Sequence, residues 1–394
     1  MRVLLVNDYL EAGGCEHVVQ RTATGLRERG HEVEVFTSQD VGGRRTPWGY
    51  VDSKGARLAL RRRLDALTPD VVHFFNVYHE LSPGVIAEAH AWRGGRMTRL
   101  VMTAADFHLV CPNSGLRRFE GEAPVMLEPG VRVRGRDLWR WQWDHRSRAH
   151  GLLKAAQHSW NYRVHRRWRA IDVLICASRF MMRAMAVTGI PRVHLPDPGP
   201  EVEEAAGKEP GRDLRLIFAG RVEPEKGLGL FLSAITRIEG WHLTVVGDGS
   251  SLGGVKRFVR ENRLEERVEF CGRLSHAGTL ERIGQADVLV LPSLVYENAP
   301  LVMLEALSRG TGLLVSDRGG MAEIVAEFGV GWTFNPLMAE SVEAGLGRAL
   351  SQEPTGVGPS DRVAEMLESR GLRNYVRRLE SLYTDGERGS ACAC

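Results

Sequence analysis

Hydrophobic positions in the first half of the chain fall into short continuous runs separated by amphipathic stretches. Val3–Asn7 is an apolar run of the kind buried on both faces of a parallel sheet. A loop holding Gly13-Gly14 follows. Glu16–Arg29 then sets Val18, Val19, Ala23 and Leu26 on one helical face, and Gly30 stops the helix. Glu32–Thr37, Val71–Phe75, Arg99–Thr103 and Val173–Ala177 read as further strands, with helical stretches such as Gly55–Leu67 and Pro83–Ala91 between them. Strands alternating with helices predict a doubly wound parallel α/β sheet with right-handed crossovers.

The pattern lapses over Pro191–Asp213, which is rich in proline, glycine and acidic residues and has no apolar period; it reads as a linker. A second series follows. Leu214–Ala219 is a strand, Leu228–Ile238 a helix, His242–Val246 a strand and Gly254–Asn262 a helix, with strands again at Val268–Cys271, Val288–Leu291 and Gly312–Ser316. The expectation is two facing Rossmann-like domains, residues 1–195 and 196–369, with small ligands held in a cleft between them. A last helical stretch, Arg370–Tyr383, either closes the second domain or packs back on the first.

Composition narrows the function classes. The chain has 394 residues, 43% hydrophobic and 26% charged, enough for two well-cored domains. A net charge of +3 gives no support to a dedicated nucleic-acid binder. No apolar run approaches the roughly 20 residues that span a bilayer, and the opening run is too short for a secretory signal. The six cysteines are scattered without C-x-x-C spacing, so neither a zinc site nor a disulfide framework is expected, and a cytoplasmic setting fits. Cys392 and Cys394 give a C-A-C ending that resembles a prenylation tail, for which a frayed terminus is the plainer reading.

Candidate chemistry gathers in the second half. Gly220-Arg221-Val222-Glu223-Pro224-Glu225-Lys226-Gly227 places two cations at a strand end between glycines. Arginine offers a bidentate fork and lysine a mobile point charge, which together suit a diphosphate. Exposed cations beside a strand are as often merely solvated. Next, Glu297-Asn298-Ala299-Pro300 runs into Leu301-Val302-Met303-Leu304-Glu305. Pro300 fits the first turn of a helix that Gly310 ends, and the N–H groups of such a start form an anion site. Glu297 falls in the preceding loop. Glu305 falls half-buried in the helix, where vicinal sugar hydroxyls would be suitable partners. The plainer reading is a dipole-favoured acid and a core-edge salt bridge. Asp317-Arg318-Gly319-Gly320 is a further glycine turn. Gly13-Gly14 is not part of a G-x-G-x-x-G fingerprint, and no G-x-x-x-x-G-K-S/T loop is present.

Taken in order, these pieces resemble the retaining glycosyltransferases of family 4, in the two-domain GT-B superfamily. Gly13-Gly14 matches that family's N-terminal glycine loop and G-R-V-E-P-E-K-G its diphosphate Arg and Lys. Val245-Val246-Gly247-Asp248-Gly249 matches its V-G-x-G turn, Phe270-Cys271-Gly272-Arg273-Leu274 its base-contacting strand end, and Glu297 through Glu305 its E-x7-E motif. The resemblance covers nearly all of residues 1–350. It implies transfer of a hexose-type sugar from a UDP- or GDP-sugar to a saccharide, lipid-linked or natural-product acceptor. Arg221 and Lys226 would hold the diphosphate, Glu297 the sugar hydroxyls and Glu305 the ribose. Gly13, Gly14, Gly220, Gly247, Arg273, Leu274, Asn298, Ala299, Pro300, Leu301 and Val302 would complete the donor site. Retention without a protein nucleophile implies front-face displacement. The cations and the helix start at Pro300 would stabilise the leaving charge, so no metal or other cofactor is expected, and no D-x-D motif is present.

The sequence departs from the family in one place that bears on activity. Where the family has T-x-H-D-Y/F, this chain reads Thr103-Ala104-Ala105-Asp106-Phe107-His108. Ala105 therefore stands at the position of the family histidine, beside Asp106. Either His108 substitutes from three residues on, or the chain is an engineered or naturally altered variant that binds nucleotide sugar without efficient turnover. Gly312 and Ala322 likewise replace frequent prolines. Finally, residues 132–169 hold Trp139, Trp141, Trp143, Trp160 and Trp168 among many arginines, offset only by Asp137 and Asp144. Such a stretch suits peripheral contact with an anionic membrane face or a polyprenyl-diphosphate acceptor. A helical insert with inward tryptophans and solvated arginines is the plainer alternative.

Overall fold

The computed structural model describes residues 1–10, 13–42, 46–121, 123–201, 213–351 and 361–384. The chain divides into two compact units. One comprises Met1–Pro198 together with the chain from Leu372 onward, and the other Gly199–Gly371. Cys392 and Cys394 lie outside the described residues, as does 202–212 of the expected linker.

The first unit is built on a six-stranded parallel sheet. Its strands are β1 (Arg2–Val6), β2 (Glu32–Phe36), β3 (Val71–Phe74), β4 (Arg99–Ala104), β7 (Val173–Cys176) and β8 (Arg192–His194), in the order β2-β1-β3-β4-β7-β8. A separate antiparallel hairpin, β5 (Arg117–Glu120) with β6 (Ala123–Met126), follows β4. β8 corrects the linker expectation. Arg192–His194 pairs with β7, and Leu195 N–H donates to Cys176 O at 3.0 Å, so the chain is still in the first sheet there. A three-residue edge strand is too short to show a period.

The last helix, Leu372–Thr384, belongs to this unit. Buried His73 accepts or donates at both ring nitrogens, Nδ1 to the Tyr383 hydroxyl at 2.7 Å and Nε2 to Thr103 Oγ1 at 2.8 Å. Glu380 closes on Arg29 and His31 at 2.7 and 2.6 Å. The helix sits so close to Gly14–Glu28 that a Cβ on Gly25 would meet Val376 Cγ2 at 2.7 Å. A side chain at 25 would therefore push the two helices apart.

The second unit repeats the architecture with β9 (Leu214–Ala219), β10 (Trp241–Val246), β11 (Val268–Gly272), β12 (Val288–Leu291), β13 (Gly312–Ser316) and β14 (Trp332–Phe334). Their order is β11-β10-β9-β12-β13-β14, all parallel. Because successive strand side chains point to opposite faces, β9 sends Leu216 and Phe218 into one core and Ile217 and Ala219 into the other. Helices cover both faces, which is why the strands read as unbroken apolar runs. The chain steps from β9 outward through β10 to β11, then returns to the other side of β9 with β12. β9 and β12 thus flank the point where the winding reverses, the place where doubly wound sheets bind ligands.

Candidate active site

The glycine loops of the second unit are fitted to one another at the strand ends. Gly247, at φ 139°, lies where a Cβ would meet Gly220 O at 1.8 Å. Its N–H donates to Gly272 O at 2.8 Å, and Gly220 N–H donates to Val246 O at 3.0 Å. The ends of β9, β10 and β11 are thereby tied through backbone alone, without a side chain to block approach from solvent.

At the reversal point, Lys226 and Glu297 meet. Lys226 lies in the short 3-10 turn Pro224–Lys226 after β9, and Glu297 in the loop after β12. The ammonium Nζ is 2.6 Å from Glu297 Oε1, and Ser293 Oγ donates to the same oxygen at 2.8 Å. Two backbone contacts hold this arrangement. Leu294 N–H donates to Glu225 O at 2.8 Å, and Gly227 packs so tightly that a Cβ would lie 2.0 Å from Pro292 O. The Asp317-Arg318-Gly319-Gly320 turn braces Glu297 from β13. Gly319 forms a parallel bridge with Glu297, and Gly320 N–H donates to Glu297 O at 2.8 Å. Arg221, in the same loop as Lys226, is exposed and enters no ion pair or hydrogen bond among the described residues. The arrangement presents one unpaired guanidinium and one ammonium held by a single exchangeable carboxylate. An incoming dianion would find both cations within a preformed loop set.

The helix after this loop runs Leu301–Ser308. Pro300 is its N-cap, in extended conformation, rather than a residue of its first turn; Asn298 and Ala299 precede it half-buried. No side chain caps the helix start, so the N–H groups of Leu301 and Val302 keep their anion-facing character. Glu305 is 14% exposed and accepts from, or ion-pairs with, His276 Nε2 at 2.9 Å. His276 opens the helix His276–Gln285 just after Arg273 and Leu274, which are exposed past β11. Neither Ser293 nor His276 was singled out from sequence. Ser293 is four residues ahead of Glu297 on one loop, a spacing that carries no signal, and the His276–Glu305 contact joins two separate helices.

The first unit brings different residues to its own reversal point, between β1 and β3. Gly13 is the extended N-cap of helix Gly14–Glu28, and a Cβ there would meet Glu16 Oε2 at 2.1 Å, whereas Gly14 is open. Asp8, which sequence reading missed, is fully buried and accepts from the backbone N–H groups of His79, Glu80 and Leu81 at 2.7, 3.0 and 2.8 Å. Burial pushes its carboxyl up to about 7 despite those bonds. Ala105 is half-buried just past β4. Asp106 accepts from the Tyr78 hydroxyl and from His108 N–H, and burial raises it to about 6. His108 is 3% exposed, stacked on Tyr78 at 3.9 Å, with its ring nitrogens on the Tyr162 hydroxyl at 3.1 Å and Gln157 Oε1 at 3.0 Å. Both nitrogens are occupied inside the protein, so His108 does not stand in for the histidine that Ala105 replaces.

The basic aromatic stretch is mostly structural. Trp143 is fully buried and donates to Leu138 O at 2.7 Å, and Trp141, Trp160 and Trp168 are half-buried. Asp144 is shared by Arg146 and Lys154, and Arg167 pairs with Asp52 at 2.6 Å. Trp139, 52% exposed, is the tryptophan of this stretch left to solvent. No helix among the described residues is long and apolar enough to cross a membrane. Among them, too, no group of three or more His, Cys, Asp or Glu is arranged to hold a metal ion.

Residues 201–366, which contain all of these donor-side loops, match the model of the glycosyl transferases group 1. Over that segment the chain is similar to that family, and its fold is that of GT-B glycosyltransferases. It is 26% identical to the glycogen synthase of Mycobacterium tuberculosis over 92% of this chain and 89% of that one. It is 28% identical to the amylovoran biosynthesis glycosyltransferase AmsK of Erwinia amylovora, over 40% of this chain and 39% of that one. Among solved structures, the sucrose-phosphate synthase of Thermosynechococcus elongatus superposes with a TM-score of 0.72 at 16% identity, covering 97% of this chain and 98% of that one. Anabaena Alr3699/HepE in complex with UDP superposes with a TM-score of 0.64 at 14% identity, over 97% and 99%.

Proposed function

We propose that the enzyme is retaining and moves a hexose-type sugar from a UDP- or GDP-sugar to a hydroxyl of a saccharide, lipid-linked or natural-product acceptor. The observation that carries this reading is the meeting of Lys226, Ser293 and Glu297 at the reversal point of the second sheet, with Arg221 unpaired in the same loop. On donor binding, the diphosphate takes Lys226 and Arg221, and the released Glu297 carboxylate accepts from sugar hydroxyls. Glu305 exchanges His276 for the ribose hydroxyls, the helix start at Leu301 faces the phosphates, and Arg273-Leu274 borders the base. The leaving diphosphate then helps to deprotonate the acceptor hydroxyl on the same face, with its charge held by fixed cations and backbone dipoles. This route needs no metal. UDP and UDP-glucose in the Anabaena structures favour uridine.

Thermal unfolding with UDP, GDP and ADP identifies the base, because a ligand of the native state raises its apparent stability. Proton NMR of the first-formed product reads the anomeric configuration. Stabilisation by none of the three, or inversion at the anomeric carbon, overturns the reading. Ala105→His tests the altered position: the expected change is in turnover, with nucleotide affinity unmoved. Membrane contact, in this proposal, is confined to Trp139 with exposed Arg136 and Arg140, and flotation with anionic liposomes should fall in Trp139→Ala.

A further inference from the structure

A pocket in the first unit carries charge that the donor reading does not use. Tyr162, Trp168, Thr188, His158, Arg163 and Arg132 supply its polar wall. Three of these are satisfied within the protein. The Tyr162 hydroxyl is on His108 Nδ1 at 3.1 Å, Trp168 Nε1 donates to Tyr162 O at 3.1 Å, and Thr188 Oγ1 donates to Met185 O at 2.8 Å.

His158 and Arg163 are only partly so, and Arg132 faces solvent. His158 is 4% exposed; its ring leans on the Leu109 backbone, but neither ring nitrogen reaches a partner with normal hydrogen-bond geometry. Arg163 donates through Nη2 to Val133 O, but its Nε is buried without a partner. Arg132 is exposed, and among the described residues no carboxylate pairs with either arginine. A buried donor left unmade costs about 1–3 kcal/mol, so the Arg163 Nε and the His158 ring, facing one cavity beside the Arg132 charge, mark a place where a ligand supplies acceptors. Burial lowers the Arg163 guanidinium from its ordinary range and Arg132 lowers it further, the signature of two like charges facing one space.

Size narrows the ligand. The cavity volume is about 40 Å³, roughly three times what a single water requires. That is room for a small oxyanion and not for a sugar ring. Two guanidinium groups and one imidazole N–H approach from different residues, which suits a tetrahedral anion with several acceptor oxygens better than a planar carboxylate.

We propose that this pocket binds a phosphate-class oxyanion, either free or as the terminal phosphoryl group of a larger molecule, through Arg132, Arg163 and His158. The full chain labelled with ¹⁵N-histidine tests it, with inorganic phosphate titrated at constant ionic strength against chloride. His158→Gln assigns the His158 signals. The expected result is a saturable His158 ¹⁵N shift in the millimolar range, weakened about tenfold by Arg132→Gln, which removes one charge-assisted donor from an exposed position that does not support the fold. Methyl phosphate bound as tightly as inorganic phosphate identifies a terminal phosphoryl group, and weaker binding identifies the free ion. Lys226→Ala, which removes a donor-site cation, leaves the titration unchanged, so failure of the donor reading is scored separately. An equal shift with chloride, no shift with phosphate, or a titration indifferent to Arg132→Gln overturns the proposal.

Discussion

Just past its first strand each unit carries a charged residue, Asp8 after β1 and Arg221 after β9, and both strands flank the reversal point of their sheet. The surroundings differ completely. Asp8 is fully buried and held by three backbone N–H groups, with its carboxyl raised to about 7. Arg221 is exposed and unpaired, and its neighbours Lys226 and Glu297 form an ion pair whose side chains are 24% and 19% exposed. The comparison teaches how one topology serves two ends. In the first unit Asp8 bonds to backbone and fixes a loop. In the second Lys226 and Glu297 bond to one another, and a solvent-touched ion pair contributes only about 0–1 kcal/mol. A diphosphate can therefore displace that pair at small cost, whereas Asp8 is already held by three backbone N–H groups.

Paired substitutions test this contrast most directly. Lys226→Ala should lower kcat/KM for the donor by about a hundredfold to a thousandfold, in line with loss of one preorganised charge, with little change in a urea melt. Asp8→Ala should do the reverse to the fold. It leaves three N–H groups without their acceptor, of which that of Leu81 is buried and costs about 1–3 kcal/mol before relaxation. A Lys226→Ala chain that unfolds early, or an Asp8→Ala chain with an unchanged midpoint, breaks the comparison.

Glycine substitutions come next. Gly247→Ala and Gly319→Ala introduce a Cβ at 1.8 and 2.1 Å from a backbone oxygen, at φ 139° and 73°. Each should cost about 2–3 kcal/mol or more. Gly14→Ala, with nothing within 4 Å, should stabilise its helix start or leave it unchanged, by at most about 1 kcal/mol. Chemical denaturation of the three variants sharpens which loops are built by close approach.

The pH dependence of stability follows from the same contrast. Asp8 is raised from 3.8 to about 7 when folded, so the native state holds its proton more tightly than the unfolded chain. Its contribution is present below the unfolded value and declines as pH rises from about 4 through about 7, at up to about 1.4 kcal/mol per pH unit. The histidines His73 and His158, lowered to about 3 by burial, act oppositely and lose stability as pH falls below their unfolded value of 6.5. Urea midpoints of Asp8→Asn between pH 4 and 7 should therefore rise more steeply with pH than those of the parent. A parallel profile would remove Asp8 from the account. The smallest effect is expected at His276. Its imidazole is 57% exposed, so His276→Ala should change nucleotide affinity by less than about fivefold, as for other exposed pairs.

Much of the fold was legible because buried parallel strands announce themselves. Leu214–Ala219, Val288–Leu291 and Gly312–Ser316 were read end to end. The edge strands Arg192–His194 and Trp332–Phe334 are three residues each, and the hairpin Arg117–Glu120 with Ala123–Met126 is half polar, so none of them carried a period. In the candidate site, the motif residues were visible by type and order, but their partners were not. Lys226 finds Glu297 across 71 residues, and His276 finds Glu305 across 29. The tryptophans of 132–169 showed the same limit: their number was plain, and only packing decided that Trp143 is core and Trp139 is not.

What the sequence by itself determined is the alternation of strand and helix, the glycines at strand ends and the cations and carboxylates available there. These are local properties, written in periodicity and in backbone conformations that only glycine tolerates. What the tertiary structure decided is which charges meet and which are buried. His108 looked available to replace a missing histidine and is instead held at both nitrogens inside the core, while Arg221 is left unpaired in solvent. Burial and partner choice depend on the order in which strands are laid beside one another, and that order is set by packing between segments far apart in the chain.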